Sequence, residues 1–546
     1  MGFDNNMFPL TGGIHLQIFN VFETSNNLTN NRYSGQKESI LVIDFGSQYS
    51  RLIARSIRES RVYCEIISHK ATWESVKALN PKGIIMSGGP ASVYDKDSPK
   101  AQPWVYESGL PILGICYGMQ LLISQMGGVV QSSDKQEYGH ATLSVDTNSK
   151  LFSNVPITSN VWMSHGDQVV EIPSEFEILA STDNTNVAAV GSPKQMYGIQ
   201  FHPEVKHTLE GQKIIKNFIH EICGCSNLWT ASNFILHAID DIKSKVGNGK
   251  VICALSGGVD SAVAATLVHR AVGDQLTCIF VDNGLMRREE PERLIATFSR
   301  TMKANIVAVD ESERFLNRLR GVIDPEEKRI GVGEEFIRVF EREARKLGQV
   351  QFLVQGTTYP DVIESESSDD SVSAKIKTHH NVGGLPKDMD LDLLEPIRFL
   401  FKDEVREVGR ALGMPDEVVN RQPFPGPGLA IRIIGEVTPQ KLDILREADW
   451  VVMDEIKSHD LYSKLWQSFA VLTNIHSVGV SGDYRTYGYV IGIRAVNSEE
   501  AMTADWAKLP QEVLGTISTR ITNEVPEVNR VVYDITSKPP GTIEWE

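Results

Sequence analysis

The fold of the second half of the chain is decided by one stretch, Ser256-Gly257-Gly258-Val259-Asp260-Ser261. The apolar run 251–255 precedes it and predicts a buried strand, and the run 262–268 follows it and predicts a helix. Two adjacent glycines let backbone N–H groups approach a ligand closely. The start of the helix adds a partial positive charge, and the two serines add hydroxyl groups. The stretch therefore predicts a phosphate-binding turn, to which an ordinary strand–turn–helix junction is the alternative.

The spacing of this turn differs from that of the Walker-type loop, which needs Gly-x-x-x-x-Gly-Lys followed by Ser or Thr. The hexapeptide resembles instead the PP-loop of the ATP pyrophosphatase family, whose members activate a substrate oxygen by adenylation and release pyrophosphate. The resemblance implies that residues 256–261 hold the β- and γ-phosphates of ATP. It also implies that Asp260 holds Mg²⁺, which would neutralise the leaving pyrophosphate.

A candidate nucleophile, Cys116, lies between the apolar run 111–115 and a predicted apolar helix. Gly114 and Gly118 flank it and permit the sharp strand-to-helix turn of a nucleophile elbow. At the start of a helix, the helix dipole stabilises a thiolate. Taken alone, a cysteine in such a run is more often a packed core residue, so the interpretation depends on finding a base and an oxyanion site.

A candidate base, His202, follows a further apolar run, and Glu204 stands two residues later, where its carboxylate reaches the imidazole across a turn. Gly89 belongs to a Gly-Gly turn after the apolar run 83–86 and offers N–H groups for an oxyanion. Together these features resemble a class I glutamine amidotransferase domain, which hydrolyses glutamine through a thioester. The resemblance implies that Cys116 attacks glutamine, that His202 transfers protons and that Glu204 orients His202. It also implies an oxyanion hole formed by Gly89 and the backbone of Tyr117.

Longer runs at 355–365, 377–386, 422–429 and 528–546 are more specific than either catalytic motif. They resemble the GMP synthase (glutamine-hydrolysing) family, and the resemblance extends from about residue 38 to residue 546. It implies amination of xanthosine monophosphate (XMP) to GMP, with ammonia from glutamine, through an adenylated XMP and with release of AMP and pyrophosphate. The residues that it places on XMP are Arg329, Lys377, Arg530, Lys538, Ile543 and Glu544. By composition alone, Lys538 and Glu544 would be solvated side chains. Residues 330–333, Ile-Gly-Val-Gly, depart from the family pattern.

Composition predicts a large soluble enzyme. A chain of 546 residues predicts two to four domains, and 41% hydrophobic with 23% charged residues is ordinary for globular proteins. The net charge of −16, without a basic block, argues against nucleic acid or an anionic membrane as partner. Most of the six cysteines lie in apolar runs, which indicates reduced thiols and a cytoplasmic location. No run has the length of a membrane span, and no signal-peptide pattern is present.

The order of strands and helices predicts an α/β fold. We expect a disordered N-terminal tail at 1–37 and a class I amidotransferase domain at 38–226, with a parallel sheet covered by helices on both faces. A doubly wound PP-loop domain of the adenine nucleotide alpha hydrolase-like type is expected at 227–422. A small α/β domain at 423–546 is expected to bind XMP and to form a homodimer. Within it, the pattern predicts helices at 439–457, 501–506 and 510–525.

Two other functions fit parts of the chain. A different amidating or thiolating PP-loop enzyme, such as one that makes NAD, would share residues 256–261 but would lack the motif at 528–546. A nucleotide sensor built on the same scaffold would be expected to lose Cys116 or His202, and neither residue is lost.

Overall fold

The computed structural model describes residues 38–145, 148–302, 304–366, 391–498, 501 and 503–546. The predicted tail at 1–37 and the predicted XMP contact Lys377 lie outside these ranges. The described chain forms two compact units, of which the first contains residues 38–48 and 67–224 and the second contains residues 49–66 and 225–546. The bounds of the tail and of the three domains inferred from the sequence remain predictions.

A nine-stranded sheet carries the glutaminase motifs. Its strands are β1 (Ser39–Asp44), β2 (Cys64–Ser68), β3 (Pro81–Met86), β4 (Ile112–Ile115), β5 (Val129–Val145), β6 (Thr158–Glu171), β7 (Glu177–Ser181), β8 (Ala189–Gly191) and β9 (Met196–Ile199). The order is β2-β1-β3-β4-β9-β8-β7-β5-β6. The helices of this part of the chain are α1 (Ser50–Glu59), α2 (Trp73–Val76), α3 (Pro103–Glu107), α4 (Tyr117–Gln125) and α5 (Gly211–Lys216).

The predicted parallel sheet is present in only part of these strands. Strands β1, β3, β4 and β9 pair in parallel, whereas β5, β6, β7 and β8 pair antiparallel. Strand β6 explains the difference, because its residues alternate between buried and more exposed positions. Such alternation is typical of an antiparallel strand with one solvated face, not of a parallel strand that is covered on both faces. The prediction of a parallel sheet was therefore wrong for strands β5, β6, β7 and β8.

A second sheet carries the PP-loop. Its five parallel strands are β10 (Val251–Leu255), β11 (Leu276–Asp282), β12 (Asn305–Asp310), β13 (Phe352–Val354) and β14 (Asp392–Leu394). The strand order β12-β11-β10-β13-β14 reverses direction at β10, so the turn after β10 lies at the topological switch point, where doubly wound sheets bind nucleotides. The helices are α6 (Ala231–Val246), α7 (Val259–Val272), α8 (Glu290–Met302), α9 (Ser312–Leu319), α10 (Pro325–Lys346), α11 (Tyr359–Glu366), α12 (Lys402–Ala411) and α13 (Asp416–Val419).

The third sheet lies in the C-terminal part of the same unit. It contains β15 (Gln467–Ser481), β16 (Tyr484–Asn497), β17 (Asp505–Trp506) and β18 (Val528–Tyr533), with helices α14 (Pro439–Ser458) and α15 (Gln511–Glu524). Strand β16 pairs antiparallel with β15 and β17 and in parallel with β18. The helices predicted at 439–457 and 510–525 are confirmed. The helix predicted at 501–506 was wrong, because Asp505–Trp506 pairs with the end of β16 and its backbone hydrogen bonds go to that strand.

One continuous hydrophobic core joins the second and third sheets. Buried residues of β10 and β11, such as Ile252 and Ile279, belong to the same cluster as Ile491 of β16 and Ile517 of α15. Burial of apolar surface on this scale is the main stabilising term of a domain. It fixes the C-terminal sheet against the PP-loop sheet within this unit. None of the helices in the described ranges is long and apolar enough to cross a membrane.

Candidate functional site

Cys116 lies on a strained turn between β4 and α4. Its backbone has φ +52° and ψ −107°, and a positive φ is uncommon for a residue with a side chain. The turn is also tightly packed, because a Cβ atom on Gly118 would lie 2.3 Å from the carbonyl oxygen of Met86. A Cβ atom on Gly114 would lie 2.5 Å from the carbonyl oxygen of Gly118. The geometry is that of a nucleophile elbow, and it requires both glycines.

His202 is held next to Cys116 by contacts on its ring and on its backbone. Its Nδ1 atom lies 2.7 Å from Glu204 Oε1. Its backbone N–H donates to the carbonyl oxygen of Trp162 over 3.0 Å, and its own carbonyl oxygen accepts from Thr208 Oγ1 over 2.6 Å. Burial alone would lower the pKa of His202, but its hydrogen bonds to Cys116 and Glu204 outweigh burial and raise that pKa to about 11. The imidazole is therefore protonated at neutral pH.

The predicted oxyanion turn lies against the same two side chains. A Cβ atom on Gly88 would lie 3.4 Å from His202 Cε1 and 3.9 Å from Cys116 Cβ. A Cβ atom on Gly89 would lie 2.9 Å from the carbonyl oxygen of Phe45, so this position has no room for a side chain. The other predicted donor, the backbone N–H of Tyr117, belongs to the first residue of α4. The assignment of Gly89 and Tyr117 to an oxyanion hole remains a prediction.

Two buried glutamines near the thiol were missed by the sequence reasoning. Gln200 Nε2 lies 3.6 Å from Cys116 Sγ, and Gln120 Nε2 lies 3.2 Å from Gln200 Oε1. Their spacing carried a signal, because Gln120 lies one helical turn after Cys116 and Gln200 lies two residues before His202. This spacing did not lead to a prediction, because glutamine is not titratable and the search for catalytic groups was based on titratable side chains.

The PP-loop has the geometry of a preformed anion site. Gly257 has φ +77°, which favours glycine. The hydroxyls of Ser256 and Ser261 lie 3.1 Å apart, Ser256 Oγ accepts from the Gly258 N–H over 3.4 Å, and Ser261 Oγ donates to the Gly258 carbonyl oxygen over 3.1 Å. Gly258 precedes α7, and no side-chain hydrogen bond caps the start of that helix among the described residues. The first N–H groups of α7 are therefore available to phosphate oxygens.

Asp260 lies in the first turn of α7 with one oxygen engaged. Its Oδ2 atom lies 3.5 Å from Lys402 Nζ, and its Oδ1 atom is buried without a hydrogen-bond partner among the described residues. Burial raises the pKa of Asp260 above its ordinary value, and the nearby Lys402 opposes this only in part. A buried carboxylate oxygen without a partner fits a hard divalent cation such as Mg²⁺.

Arg421 supports the PP-loop from outside the motif. Its guanidinium donates to the carbonyl oxygen of Gly257 and forms an ion pair with Glu290 of α8. A Cβ atom on Gly257 would lie 2.6 Å from Arg421 Nη1, which is a second reason for glycine at this position. This contact could not be predicted from the sequence, because Arg421 lies 164 residues after Gly257.

Two buried cations hold the segment 544–546. Lys328 of α10 is fully buried and forms an ion pair with the Glu546 side chain. Burial lowers the pKa of Lys328, and the carboxylate of Glu546 opposes that shift. Arg432, also fully buried, donates from Nε and Nη2 to the two carboxylate oxygens of Glu544 over 3.0 and 2.8 Å. Gln467 Nε2 donates to Glu544 Oε1 over 2.8 Å.

The predicted XMP contacts are only partly brought together. Arg329 donates to the backbone carbonyl oxygen of Glu546, two residues after Glu544, and Ile543 is buried. Lys538 Nζ donates to the carbonyl oxygen of Ala501 over 2.8 Å. Arg530 is exposed on β18. A cavity of about 510 Å³ lies between this strand and the following segment, and its lining residues are Val532, Tyr533, Asp534, Ile535, Thr536, Gly541, Thr542, Glu544 and Trp545.

Three parts of the chain match known protein families. Residues 41–222 match the family glutamine amidotransferase class-I, residues 249–310 match the tRNA methyl transferase HUP domain, and residues 454–545 match the GMP synthase C terminal domain. The chain is 61% identical over 511 residues to a GMP synthase [glutamine-hydrolyzing] of Dehalococcoides mccartyi, covering 93% of this chain and 96% of that protein.

A second relative gives the same result. The chain is 58% identical over 515 residues to the GMP synthase [glutamine-hydrolyzing] of Symbiobacterium thermophilum, covering 94% of this chain and all of that protein. The three family models include the glutaminase elbow, the PP-loop and the C-terminal segment up to residue 545. The resemblance inferred from the motifs is therefore confirmed, and the chain belongs to the GMP synthase (glutamine-hydrolysing) family.

Proposed function

We propose that this protein converts XMP to GMP with ATP and glutamine. In this reaction O2 of XMP attacks the α-phosphorus of ATP and releases pyrophosphate, and ammonia then attacks C2 and displaces AMP. The observation that carries the proposal is the similarity to GMP synthases over 93% of the chain, which contains both a thiol–imidazole–carboxylate arrangement and a PP-loop.

Ammonia is supplied by glutamine hydrolysis at Cys116. Attack of the thiolate on the carboxamide carbon forms a thioester and releases ammonia, with His202 donating a proton to the leaving nitrogen. Water then attacks the thioester, and His202 takes the proton that this step releases. The short contact between Glu204 and His202 keeps the ring in one orientation through both steps.

Adenylation takes place at the turn between β10 and α7. The backbone N–H groups and serine hydroxyls of residues 256–261 are the groups that we assign to the phosphates of ATP. Asp260 is the residue that we assign to Mg²⁺, since its buried Oδ1 has no hydrogen-bond partner among the described residues. Mg²⁺ supplies charge neutralisation on the leaving pyrophosphate when it is bound.

We assign XMP to the segment 538–546 and the helix that contacts it. Lys538, Arg530 and Arg329 provide positive charge for a phosphate, and Glu544 provides acceptor oxygens for the purine or ribose. The link between Arg329 and Glu546 supports this assignment because it joins α10 to the segment that contains Glu544. Lys377 belongs to the same proposal.

We also assign a homodimer and a cytoplasmic location to the protein. The hairpin of β15 and β16 exposes apolar side chains, of which Val480 is 77% exposed and Tyr484 is 80% exposed. Symmetric pairing is the commonest way in which proteins cover such a surface. Light scattering of the purified chain tests the assembly, and a strictly monomeric protein would contradict it. The cytoplasmic assignment rests on the buried cysteines at 64, 116, 253 and 278, which form no disulfide.

The test of the proposed function compares two acceptors. The purified chain is incubated with ATP, Mg²⁺ and glutamine, together with XMP or with the carboxylate precursor of NAD. We expect GMP and AMP with XMP and no amidation of the other acceptor. Amidation of the NAD precursor without formation of GMP would contradict the proposal.

A further inference from the structure

The carboxamide of Gln200 lies against the sulphur atom of Cys116. Its Nε2 atom is 3.6 Å from Cys116 Sγ, and the residue is fully buried. The roles given above to the thiol, the imidazole and the oxyanion donors do not involve this contact. A buried polar group this close to the sulphur changes the relative stability of the thiol and thiolate forms.

The orientation of this carboxamide follows from the groups around it. Gln120 Nε2 lies 3.0 Å from the backbone carbonyl oxygen of Asp167, which is only an acceptor, so this atom of Gln120 must be the amide nitrogen. The same nitrogen lies 3.2 Å from Gln200 Oε1, so the atom of Gln200 that faces it must be the oxygen. The other end of the Gln200 carboxamide, which faces the sulphur, is therefore the N–H donor.

The groups that surround the sulphur favour different protonation states of the Cys116 thiol. The carbonyl oxygen of Ser164, 3.7 Å from Cys116 Sγ, accepts from the neutral thiol and disfavours a thiolate. The protonated His202 and the N–H of Gln200 favour the thiolate. We propose that Gln200 is a further catalytic residue of the glutaminase site, which stabilises the Cys116 thiolate by an N–H···S hydrogen bond, and that Gln120 positions it.

This arrangement adds a donor that does not titrate. Proton transfer between Cys116 and His202 changes the charge on both groups, whereas the Gln200 carboxamide keeps its N–H whatever their protonation state. Gln120, which bonds to the backbone carbonyl oxygen of Asp167, fixes the orientation of the Gln200 carboxamide. A reversed carboxamide would lose its hydrogen bond to Gln120 and its hydrogen bond to the sulphur.

The test measures the thiolate directly. Alkylation of Cys116 by iodoacetamide is followed from pH 5 to 10 by mass spectrometry of the peptide that contains it. The midpoint of the rate profile is used, because the midpoint reports the thiolate fraction separately from its nucleophilicity. In Gln200→Met we expect the midpoint to move upward by about one pH unit, the equivalent of about a tenfold loss of thiolate, since hydrogen bonds to charged groups are the stronger ones.

Three further variants keep the test decisive. Gln200→Glu retains the shape of the side chain and loses the donor at neutral pH, so its midpoint should move upward at least as far. Gln125→Met is the matched control, because Gln125 lies on α4, as Gln120 does, but bonds to Ala101 and Tyr106. Its midpoint should equal that of the parent protein. In Gln120→Met the midpoint should move in the same direction as in Gln200→Met.

The outcomes are separable from those of the proposed function, on which this inference rests. Ammonia-dependent GMP formation and the thermal unfolding midpoint report whether each variant is folded and active at the synthetase site. Midpoints in Gln200→Met and Gln200→Glu equal to that of Gln125→Met would overturn the inference and leave the proposed function intact. Absence of GMP formation by the parent protein would overturn the proposed function, while the alkylation profile would still report on Gln200.

Discussion

Glu204 Oε1 lies 2.7 Å from Nδ1 of His202, and this contact leaves the other ring nitrogen of His202 for Cys116. The carboxylate therefore determines the orientation of the imidazole, and together with Cys116 it favours the charged form of His202. Because the hydrogen bonds to Glu204 and Cys116 outweigh burial, the pKa of His202 is about 11, compared with 6.5 for a free histidine. The folded state thus binds the His202 proton more tightly than the unfolded state does.

The first prediction concerns this pKa. The stability that protonated His202 contributes is fully present below pH 6.5 and is lost as pH rises towards about 11. Glu204→Gln removes the negative charge and leaves only a neutral acceptor for His202 Nδ1, so the pKa of His202 should fall towards 6.5. Nitrogen NMR of labelled histidine should show no titration of His202 between pH 6 and 9 in the parent protein and a titration in the variant. Identical titration curves for the two proteins would exclude Glu204 from this role.

The second prediction separates the two chemistries. Cys116→Ala should abolish glutamine-dependent GMP formation and leave ammonia-dependent formation largely intact, because only the first site uses a nucleophilic side chain. Both rates are measured on the full chain, with ammonium chloride replacing glutamine in one assay. Cys225→Ala, which removes a different buried cysteine, serves as the control and should retain both activities. If Cys116→Ala is folded and loses both activities, Cys116 is structural.

The third prediction concerns Asp260. Asp260→Asn should lower GMP formation by about 100-fold or more with either nitrogen source, since it removes a carboxylate placed on the pyrophosphate side of the reaction. Asp274→Asn, at an exposed aspartate of the same unit, should have little effect. The measurement is XMP-dependent pyrophosphate release as a function of Mg²⁺ concentration. Near-normal release by Asp260→Asn would remove this residue from the metal site.

The fourth prediction concerns the buried pair of Lys328 and Glu546. Lys328→Met removes the cation that holds the segment 544–546 against α10, so Arg329 and Glu544 should lose their alignment. We expect the KM for XMP to rise about tenfold or more, because small displacements of binding groups are costly, with little change in the KM for ATP.

Arg520→Ala is the matched control for this prediction. Arg520 also bonds to several carboxylates, Asp454, Glu455 and Glu524, but these side chains belong to α14 and α15 and not to the segment 544–546. It should leave the KM for XMP unchanged. Equal effects of both variants on XMP, ATP and thermal stability would show that the Lys328 pair is only structural.

The nucleophile elbow and the PP-loop were predictable because each is a local pattern. A cysteine between glycines after an apolar run, and two glycines between a strand and a helix, specify backbone geometry within a few residues. The unusual backbone at these turns follows from the same patterns, since Cys116 has φ +52° and Gly257 has φ +77°. The parallel β10 and β11 pair was predictable for the same reason, since both runs are largely apolar.

Features that depend on distant pairing were not predictable. Arg432 and Glu544 are 112 residues apart, and Lys328 and Glu546 are 218 residues apart. No periodicity relates such residues, and a charged residue in the sequence predicts an exposed side chain, whereas Arg432 and Lys328 are fully buried. The antiparallel half of the first sheet was missed because its pairing is decided by the β5–β6 hairpin and not by local propensity.

The most direct measurement of the central claim follows isotopes through one turnover. The protein is incubated with ATP, Mg²⁺, glutamine labelled with ¹⁵N in the amide, and XMP labelled with ¹⁸O at O2, and the nucleotides are analysed by mass spectrometry. The account predicts ¹⁵N in GMP, ¹⁸O in AMP and one pyrophosphate for each GMP. Formation of ADP and phosphate, or of GMP with unlabelled AMP, would contradict it.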